Sequence, residues 1–145
     1  MEVYSVDPAP LALAPERMQR VHWVSGMSFD EGVLERLRHA APFDVIVSDM
    51  NQLPDELARC FEGLVPMLVS GGYVIVTIKL SHLRPTLQMA RGYAKGCRRF
   101  LSYFATAYPH LKPVGNVKWL LQNKNERCAV FKSDQPLPWS VAAVQ

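Results

Sequence analysis

The stretches PFDVIVSD (residues 42–49) and GGYVIVTIK (residues 71–79) decide the fold of this chain. Each is a nearly continuous apolar run, which is typical of a strand buried in a parallel sheet. The first ends on Asp49, the second ends on Lys79, and a third apolar run begins at Glu126. If the first two strands are parallel and the third is antiparallel, these three polar residues meet at one edge of the sheet. Because α/β domains place ligands and chemistry at that edge, the pattern indicates an enzyme.

The other elements follow from hydrophobic periodicity and from turn residues. The sequence predicts strands at 2–8, 20–29, 43–49 and 73–80, helices at 31–40, 54–69 and 84–107, and a final hairpin of strands 114–122 and 127–133. Asp30 is the expected cap of the first helix. Alternating strands and helices predict an α/β fold with a mostly parallel sheet, to which the hairpin adds an antiparallel strand.

The charge of the chain is distributed unevenly. Residues 1–78 carry 5 Lys/Arg against 11 Asp/Glu, whereas residues 79–145 carry 11 against 2, within a total of +3 over 145 residues. A basic second half suggests a polyanionic partner, and the alternative is a well-solvated surface.

Several common classes of protein do not fit the sequence. Cys60, Cys97 and Cys128 form an odd and widely spaced set, which favours reduced thiols in a cytoplasm-like compartment. The four histidines lack metal-ligand spacing, so no metal site is expected. The apolar stretch at 64–80 is interrupted by Ser70-Gly71-Gly72, so no membrane span is expected.

The order of five short motifs resembles the FtsJ-like RNA ribose 2′-O-methyltransferases, a family of class I S-adenosylmethionine-dependent enzymes. The motifs are VYSVD (3–7), VHWV (21–24), VSDM (47–50), VTIKL (76–80) and NKNER (123–127). The closest likeness is to members that methylate a cytidine ribose in bacterial large-subunit ribosomal RNA. The resemblance covers residues 2–132. It implies a Rossmann-like methyltransferase domain over residues 1–133, an extended tail over 134–145, S-adenosylmethionine as cofactor and ribosomal RNA as substrate.

The resemblance also implies roles for individual residues. The family uses a Lys-Asp-Lys-Glu tetrad, whose last three members match Asp49, Lys79 and Glu126, with Lys79 as the general base. Asp7 and Asp49 are expected to contact the cofactor, whereas residues 26–28 replace a further cofactor-contacting aspartate of the family. From the residues alone, each position also has a structural interpretation. Asp49 could be a turn aspartate, and Lys79 could be a strand-end lysine paired with a nearby acid. Glu126 could be a solvated hairpin glutamate, and Asp7 could simply terminate its strand before Pro8.

One part of the family fold has no counterpart in this chain. The usual first strand, its glycine-rich loop and the first lysine of the tetrad belong before residue 2. That strand lies centrally in the family's sheet, and each buried backbone group orphaned by its removal costs about 1–3 kcal/mol. We therefore expect that an N-terminal segment or a partner chain completes the sheet, or that the sheet closes differently.

Basic residues suggest where RNA binds. Arg91, Lys95 and Arg98 follow at helical spacings of four and three, on one face of the last helix. The full set of expected phosphate-contacting residues is Arg84, Arg91, Lys95, Arg98, Arg99, Lys118, Lys124 and Arg127. The alternative function is a non-catalytic RNA-binding module or fragment that has lost the cofactor site.

Overall fold

The computed structural model describes residues 1–79, 87–119 and 126–134. The strands are β1 (Val3–Val6), β2 (Val21–Val24), β3 (Phe43–Ser48), β4 (Leu68–Lys79), β5 (Leu111–Pro113), β6 (Lys118–Trp119) and β7 (Glu126–Ser133). The helices are α1 (Glu31–Ala40), α2 (Pro54–Arg59) and α3 (Leu87–Ala107), with short 3-10 helices at Pro15–Arg20 and Val65–Met67. Of the expected tail, residues 135–145 lie outside the described residues.

The strands form an α/β fold with two sheets. β1 and β2 pair in parallel and form the smaller sheet. The larger sheet has the order β3-β4-β7-β5, with β6 also paired to β7. Its β3–β4 pair is parallel, and β7 is antiparallel to β4, β5 and β6. The predicted mixture of parallel strands and a C-terminal antiparallel hairpin strand is therefore confirmed.

The division into two sheets falls where the sequence predicts a missing strand. Among the described residues, no ladder joins β1 to β3, so the sheet is interrupted between them. The two strands still share a core, because Tyr4 and Phe43 contact each other edge to face with ring centroids 5.6 Å apart. The chain thus keeps these strands close without hydrogen bonding them to each other.

Two hydrophobic cores lie on one side of the sheets. The larger is built by β3, β4 and β7 against α2 and α3, and its fully buried members include Phe61, Val74 and Phe104. The smaller is built by α1 against β1 and β2, around Val24 and Leu37. Leu64 packs against both cores. The helices therefore cover one common face, as right-handed crossovers between successive strands require.

The opposite face of the larger sheet is exposed to a degree that the sequence does not predict. Ile46 lies in the core with 9% exposure, but its neighbours Val45 and Val47 are 47% and 68% exposed. The expectation of a buried strand is therefore correct for the face of Ile46 and Ser48 and wrong for the face of Val45 and Val47. Side chains alternate between the two faces of a strand, and only the face under the helices is covered.

The second helix and the following strand differ from the predicted bounds. α2 ends at Arg59 rather than 69, and Pro66 lies in the following 3-10 helix, since a proline cannot continue the hydrogen bonding of an α-helix. β4 begins at Leu68 and includes Gly71, whose φ of 76° accompanies an irregular register with β3. The glycines therefore bend a long strand instead of separating a helix from a strand.

Three further features differ from their predictions: the end of β2, the role of Asp30 and the C-terminal hairpin. β2 ends at Val24 because Gly26 has a φ of 135° and turns the chain away. Asp30 precedes α1 as predicted, but its carboxylate accepts a hydrogen bond from the Met27 amide instead of capping the helix. Of the first hairpin strand, residues 114–119 are described and contain β6, whereas residues 120–122 and the turn at 123–125 lie outside the described residues; β5 pairs separately to β7.

Candidate functional site

Two of the three strand-end residues form an ion pair at the carboxyl edge of the larger sheet. The ammonium Nζ of Lys79 lies 3.1 Å from Oδ2 of Asp49. Lys79 is the last residue of β4 and Asp49 directly follows β3, so the parallel pairing of these strands brings them together. The charged pair is therefore a consequence of where two neighbouring strands end.

Glu126 joins them through the antiparallel ladder. In the register between β4 and β7, Glu126 is directly opposite Lys79. Directly opposed residues point to the same face of a sheet with Cβ atoms about 4.5–5.5 Å apart. That face is the one without helices, since Val76 and Ile78 alternate with Lys79 and are fully buried on the other side. An amine and two carboxylates thus share one open corner of the sheet.

The ion pair contributes little to stability. The Asp49 side chain is 70% exposed, whereas the Lys79 side chain is only 20% exposed. Pairs with one solvated partner contribute about 0–1 kcal/mol. The preceding residue Ser48 is buried, and its hydroxyl oxygen lies 3.5 Å from the Met50 amide nitrogen.

Asp7 follows β1 and lies in a local turn. Its Oδ1 accepts a hydrogen bond from the Ala9 amide at 2.7 Å, and its backbone carbonyl accepts one from the Trp23 indole at 2.9 Å. Its backbone amide donates to the carbonyl of Val24 at 3.3 Å. The residue therefore ends its strand with a fixed backbone and an exposed carboxylate.

A contact that the sequence analysis did not predict joins the loops after β2 and β3. The hydroxyl of Ser28, a buried residue, lies 3.4 Å from the thioether sulfur of Met50. Both residues belong to segments noted in the sequence, the Gly26–Ser28 stretch and the VSDM motif. Their spacing along the chain gave no sign of contact, since it depends on how β2 and β3 are placed around the interruption of the sheet.

The basic residues divide into three groups. Lys95, Arg98, Arg99 and Lys118 are exposed. Arg127 is half-buried and lies opposite Ile78 in the ladder, on the helix-covered face. Arg84 and Lys124 lie outside the described residues, as does the side chain of Arg91. An exposed basic surface is therefore present on the outer side of α3.

Residues 1–79, 87–119 and 126–134 contain neither a metal-binding cluster nor a membrane-spanning helix. No group of three or more His, Cys, Asp or Glu side chains in these ranges is arranged to hold a metal ion. No helix in the same part of the chain is both long enough and apolar enough to cross a membrane. The three cysteines are free thiols.

Solved structures resemble the fold, although no protein-family model and no curated protein matches the sequence. Fibrillarin of Methanococcus jannaschii, described as a pre-rRNA processing protein, aligns with a TM-score of 0.58 at 16% identity, over 92% of this chain and 56% of that one. The chain has the Rossmann-like fold of class I methyltransferases. Aeropyrum pernix fibrillarin, solved with natively bound S-adenosyl-L-methionine, aligns with a TM-score of 0.56 at 17% identity, over 90% and 55% of the two chains.

A third solved structure, from a different kind of methyltransferase, is also similar in fold. A TehB-like SAM-dependent methyltransferase from Corynebacterium glutamicum aligns with a TM-score of 0.57 at 19% identity, over 91% of this chain and 68% of that one. The chain thus spans little more than half the length of either fibrillarin. At these identities, the likeness establishes the fold alone.

Proposed function

We propose that the chain carries the substrate-facing part of an S-adenosylmethionine-dependent RNA ribose 2′-O-methyltransferase, with ribosomal RNA as its substrate. The observation that carries the proposal is the placement of Lys79 beside Asp49 and opposite Glu126 at the carboxyl edge of the sheet. The structural likeness to two fibrillarins, one a pre-rRNA processing protein and one with bound S-adenosyl-L-methionine, supports the same reaction class.

The residues present suit part of a cofactor site. Asp7 and Asp49 both follow strands and both have exposed carboxylates, which can accept hydrogen bonds from hydroxyl and amino groups and offset a positive charge. The contact between Ser28 and Met50 joins the two adjoining loops. When bound, S-adenosylmethionine supplies a methyl group attached to a positively charged sulfur. The glycine-rich loop that holds the rest of the cofactor in the resembled family has no match in this sequence.

Lys79 is the proposed general base. Its Nζ lies at the open corner of the sheet and, after the ammonium has lost a proton to solvent, the neutral amine would accept the proton of a ribose 2′-hydroxyl as the oxygen attacks. Asp49 holds Nζ in place and stabilises the ammonium that forms, while Glu126, opposite Lys79 on the neighbouring strand, adds a second carboxylate to the corner. The burial of the Lys79 side chain reduces the freedom of the amine and favours a single position for it.

RNA is the proposed substrate because the chain has an exposed basic surface on the outer side of α3, in addition to the catalytic corner on the open face. Lys95, Arg98 and Arg99 lie on α3, whose core-facing residues Cys97 and Phe100 orient them outward. Such residues position a nucleic-acid backbone without reading its sequence. The proposed assignment of Arg84, Arg91, Lys118, Lys124 and Arg127 to the same surface rests on the sequence.

The second candidate is an RNA-binding module without methyl transfer. The interruption between β1 and β3 favours it, because the missing strand and glycine-rich loop would supply most contacts to the cofactor in the resembled family. The two candidates share the basic surface and differ in cofactor binding.

Calorimetry with S-adenosylmethionine and a transfer assay with radiolabelled cofactor and ribosomal RNA separate these candidates. The proposal predicts binding, and transfer that falls at least about 100-fold in Lys79→Ala, the usual contribution of a general base. The matched control is Lys112→Ala, which removes the lysine of another exposed Lys–Asp pair, Lys112–Asp134, and should leave transfer unchanged.

Alkaline hydrolysis of the product RNA identifies the methylated atom. A 2′-O-methyl group blocks cleavage of the adjacent phosphodiester, since the 2′-oxygen can no longer attack the phosphorus. Labelled nucleotides that remain cleavable would contradict a ribose target, and unchanged transfer by Lys79→Ala would contradict the assigned base. RNA binding that weakens with salt, together with no cofactor binding, would establish the second candidate instead.

A further inference from the structure

The backbone edges of β1 and β3 that face each other lack ladder partners. Within the described residues, β1 pairs with β2 and β3 pairs with β4, so each strand uses one of its two edges. Strands that expose an edge are templates for pairing with another strand. The connection of β2 to β3 through α1 is a β-α-β unit, which runs such strands in the same direction.

The space between these edges has an apolar base. Val33, Leu34 and Leu37 of α1 form a buried cluster to which Tyr4 of β1 and Phe43 of β3 both contribute. The cluster ties the two strands to one helix while leaving their facing edges unladdered. We call the space between the facing edges of β1 and β3, with α1 as its base, the slot.

Side chains beside the slot are more exposed than their residue types favour. Val45 and Val47 of β3 and Val3 of β1 are all exposed, although Ile46 on the other face of β3 is buried. A strand that pairs in the interior of a parallel sheet is normally apolar on both faces because both faces are covered. β3 therefore has the composition of an interior strand at the position of an edge strand.

Acidic residues flank the slot at both ends. Glu2 and Asp7 directly precede and follow β1, and Asp44 and Asp49 lie at the two ends of β3. His22 and Lys79 pair with Glu2 and Asp49. Asp7 at the end of β1 and Asp44 near the start of β3 lie outside these two ion pairs, and they favour a segment with basic residues on either side of its apolar centre.

We propose that the slot binds a strand of a partner polypeptide, running parallel to β1 and β3, with a centre of valine, isoleucine and leucine between basic flanks. A second copy of this chain fits less well. A two-fold axis would pair β3 with its own copy antiparallel, and would leave the edge of β1 unused.

A fluorescent peptide tests the slot directly on the 145-residue chain. The peptide has six valine, isoleucine and leucine residues between two lysines on each side, and the matched peptide carries proline at the third and fourth central positions. Anisotropy should show saturable binding of the first peptide and at least tenfold weaker binding of the second, because proline cannot donate to a ladder. Amide hydrogen exchange in β1 and β3 should slow at least tenfold on binding, while exchange in β7 should not change.

Two variants locate the binding. Val47→Lys places a charge beside the slot and should weaken binding at least tenfold, whereas Val114→Lys changes another exposed valine outside it and should not. Equal binding of both peptides, or no change of exchange in β1 and β3, would overturn the proposal. Slow amide exchange at the facing edges of β1 and β3 in the monomeric chain without peptide would also overturn the proposal, because it would mean that the sheet is closed. Slow exchange that appears only when the chain dimerises would overturn it too, because a second copy would then be the occupant.

Discussion

Ile46 and Val47 are neighbours in β3 and have similar side chains, yet Ile46 is buried in the hydrophobic core and Val47 is exposed to solvent. Ile46 packs under α2 and α3 among fully buried residues such as Val74 and Val76. Val47 points to the opposite face and is 68% exposed. The difference shows that the helices complete one side of the sheet only. The proposed catalytic corner, with Lys79 and Glu126, belongs to the open side.

The largest difference in stability between two variants should come from placing a positive charge on one face or the other of β3. Ile46→Lys buries an ammonium among apolar side chains and should lower the free energy of unfolding by about 4 kcal/mol or more. Val47→Lys leaves the ammonium in solvent and should change it by less than about 0.5 kcal/mol. Urea denaturation of the two variants measures the difference, and equal losses would mean that both faces are covered.

Removing an aromatic ring from each face should give the next largest difference. Phe104 is fully buried, and its ring lies 4.6 Å from that of Phe131 and 4.8 Å from that of Tyr108. Phe104→Ala should therefore destabilise the chain by about 3–5 kcal/mol. Tyr73→Ala, on the open face, should cost less than about 1 kcal/mol. A larger loss at Tyr73 in thermal unfolding would contradict the comparison.

One substitution in the helix-covered core is expected to stabilise the chain, by less than the larger losses described above. The hydroxyl of Tyr108 is buried without a hydrogen-bond partner among the described residues, and this burial raises the pKa of Tyr108 above its ordinary value. Tyr108→Phe removes the unsatisfied group and should raise the free energy of unfolding by up to about 1–2 kcal/mol. A clear loss of stability in urea denaturation would show that the hydroxyl has a partner.

The smallest effect is a pH dependence on the solvent side of α1. A hydrogen bond from Arg38 and its positive charge hold the pKa of Glu31 below the ordinary 4.5. The pair's contribution is thus complete above about pH 4.5, and is lost as pH falls through the lowered pKa of the folded state. Carboxyl titration by NMR should show this midpoint return to normal in Arg38→Gln and stay low in Arg36→Gln. An unchanged midpoint in Arg38→Gln would rule out the pair.

The sequence predicts the candidate site better than it predicts the surroundings. Asp49, Lys79 and Glu126 could be placed together because strand periodicity locates strand ends, and parallel or antiparallel direction then fixes which ends meet. Helix α2 was predicted too long, because an apolar period continued past Arg59 through the segment around Pro66.

The exposure of β3 could not be predicted in the same way. Residues 43–48 have the composition of an interior strand, and that composition carries no information on whether the neighbouring strand belongs to the same chain. The contact between Ser28 and Met50 depends on the same unseen arrangement of β2 and β3. The local sequence pattern thus predicts the strands and helices and where they end. It does not predict the break in the sheet between β1 and β3, which depends on contacts between distant parts of the molecule.

Alkylation of the three natural thiols tests most directly whether the helices cover one face only. Cys97 of α3 and Cys60, which directly follows α2, are buried on the helix-covered side, and burial, together with the charge of Glu56, raises the pKa of the Cys60 thiol. Cys128 is only partly buried and lies opposite Thr77 on the open face. Iodoacetamide followed by mass spectrometry should modify Cys128 at least about tenfold faster than Cys60 or Cys97 in the native chain. Equal protection of all three thiols would contradict an open face.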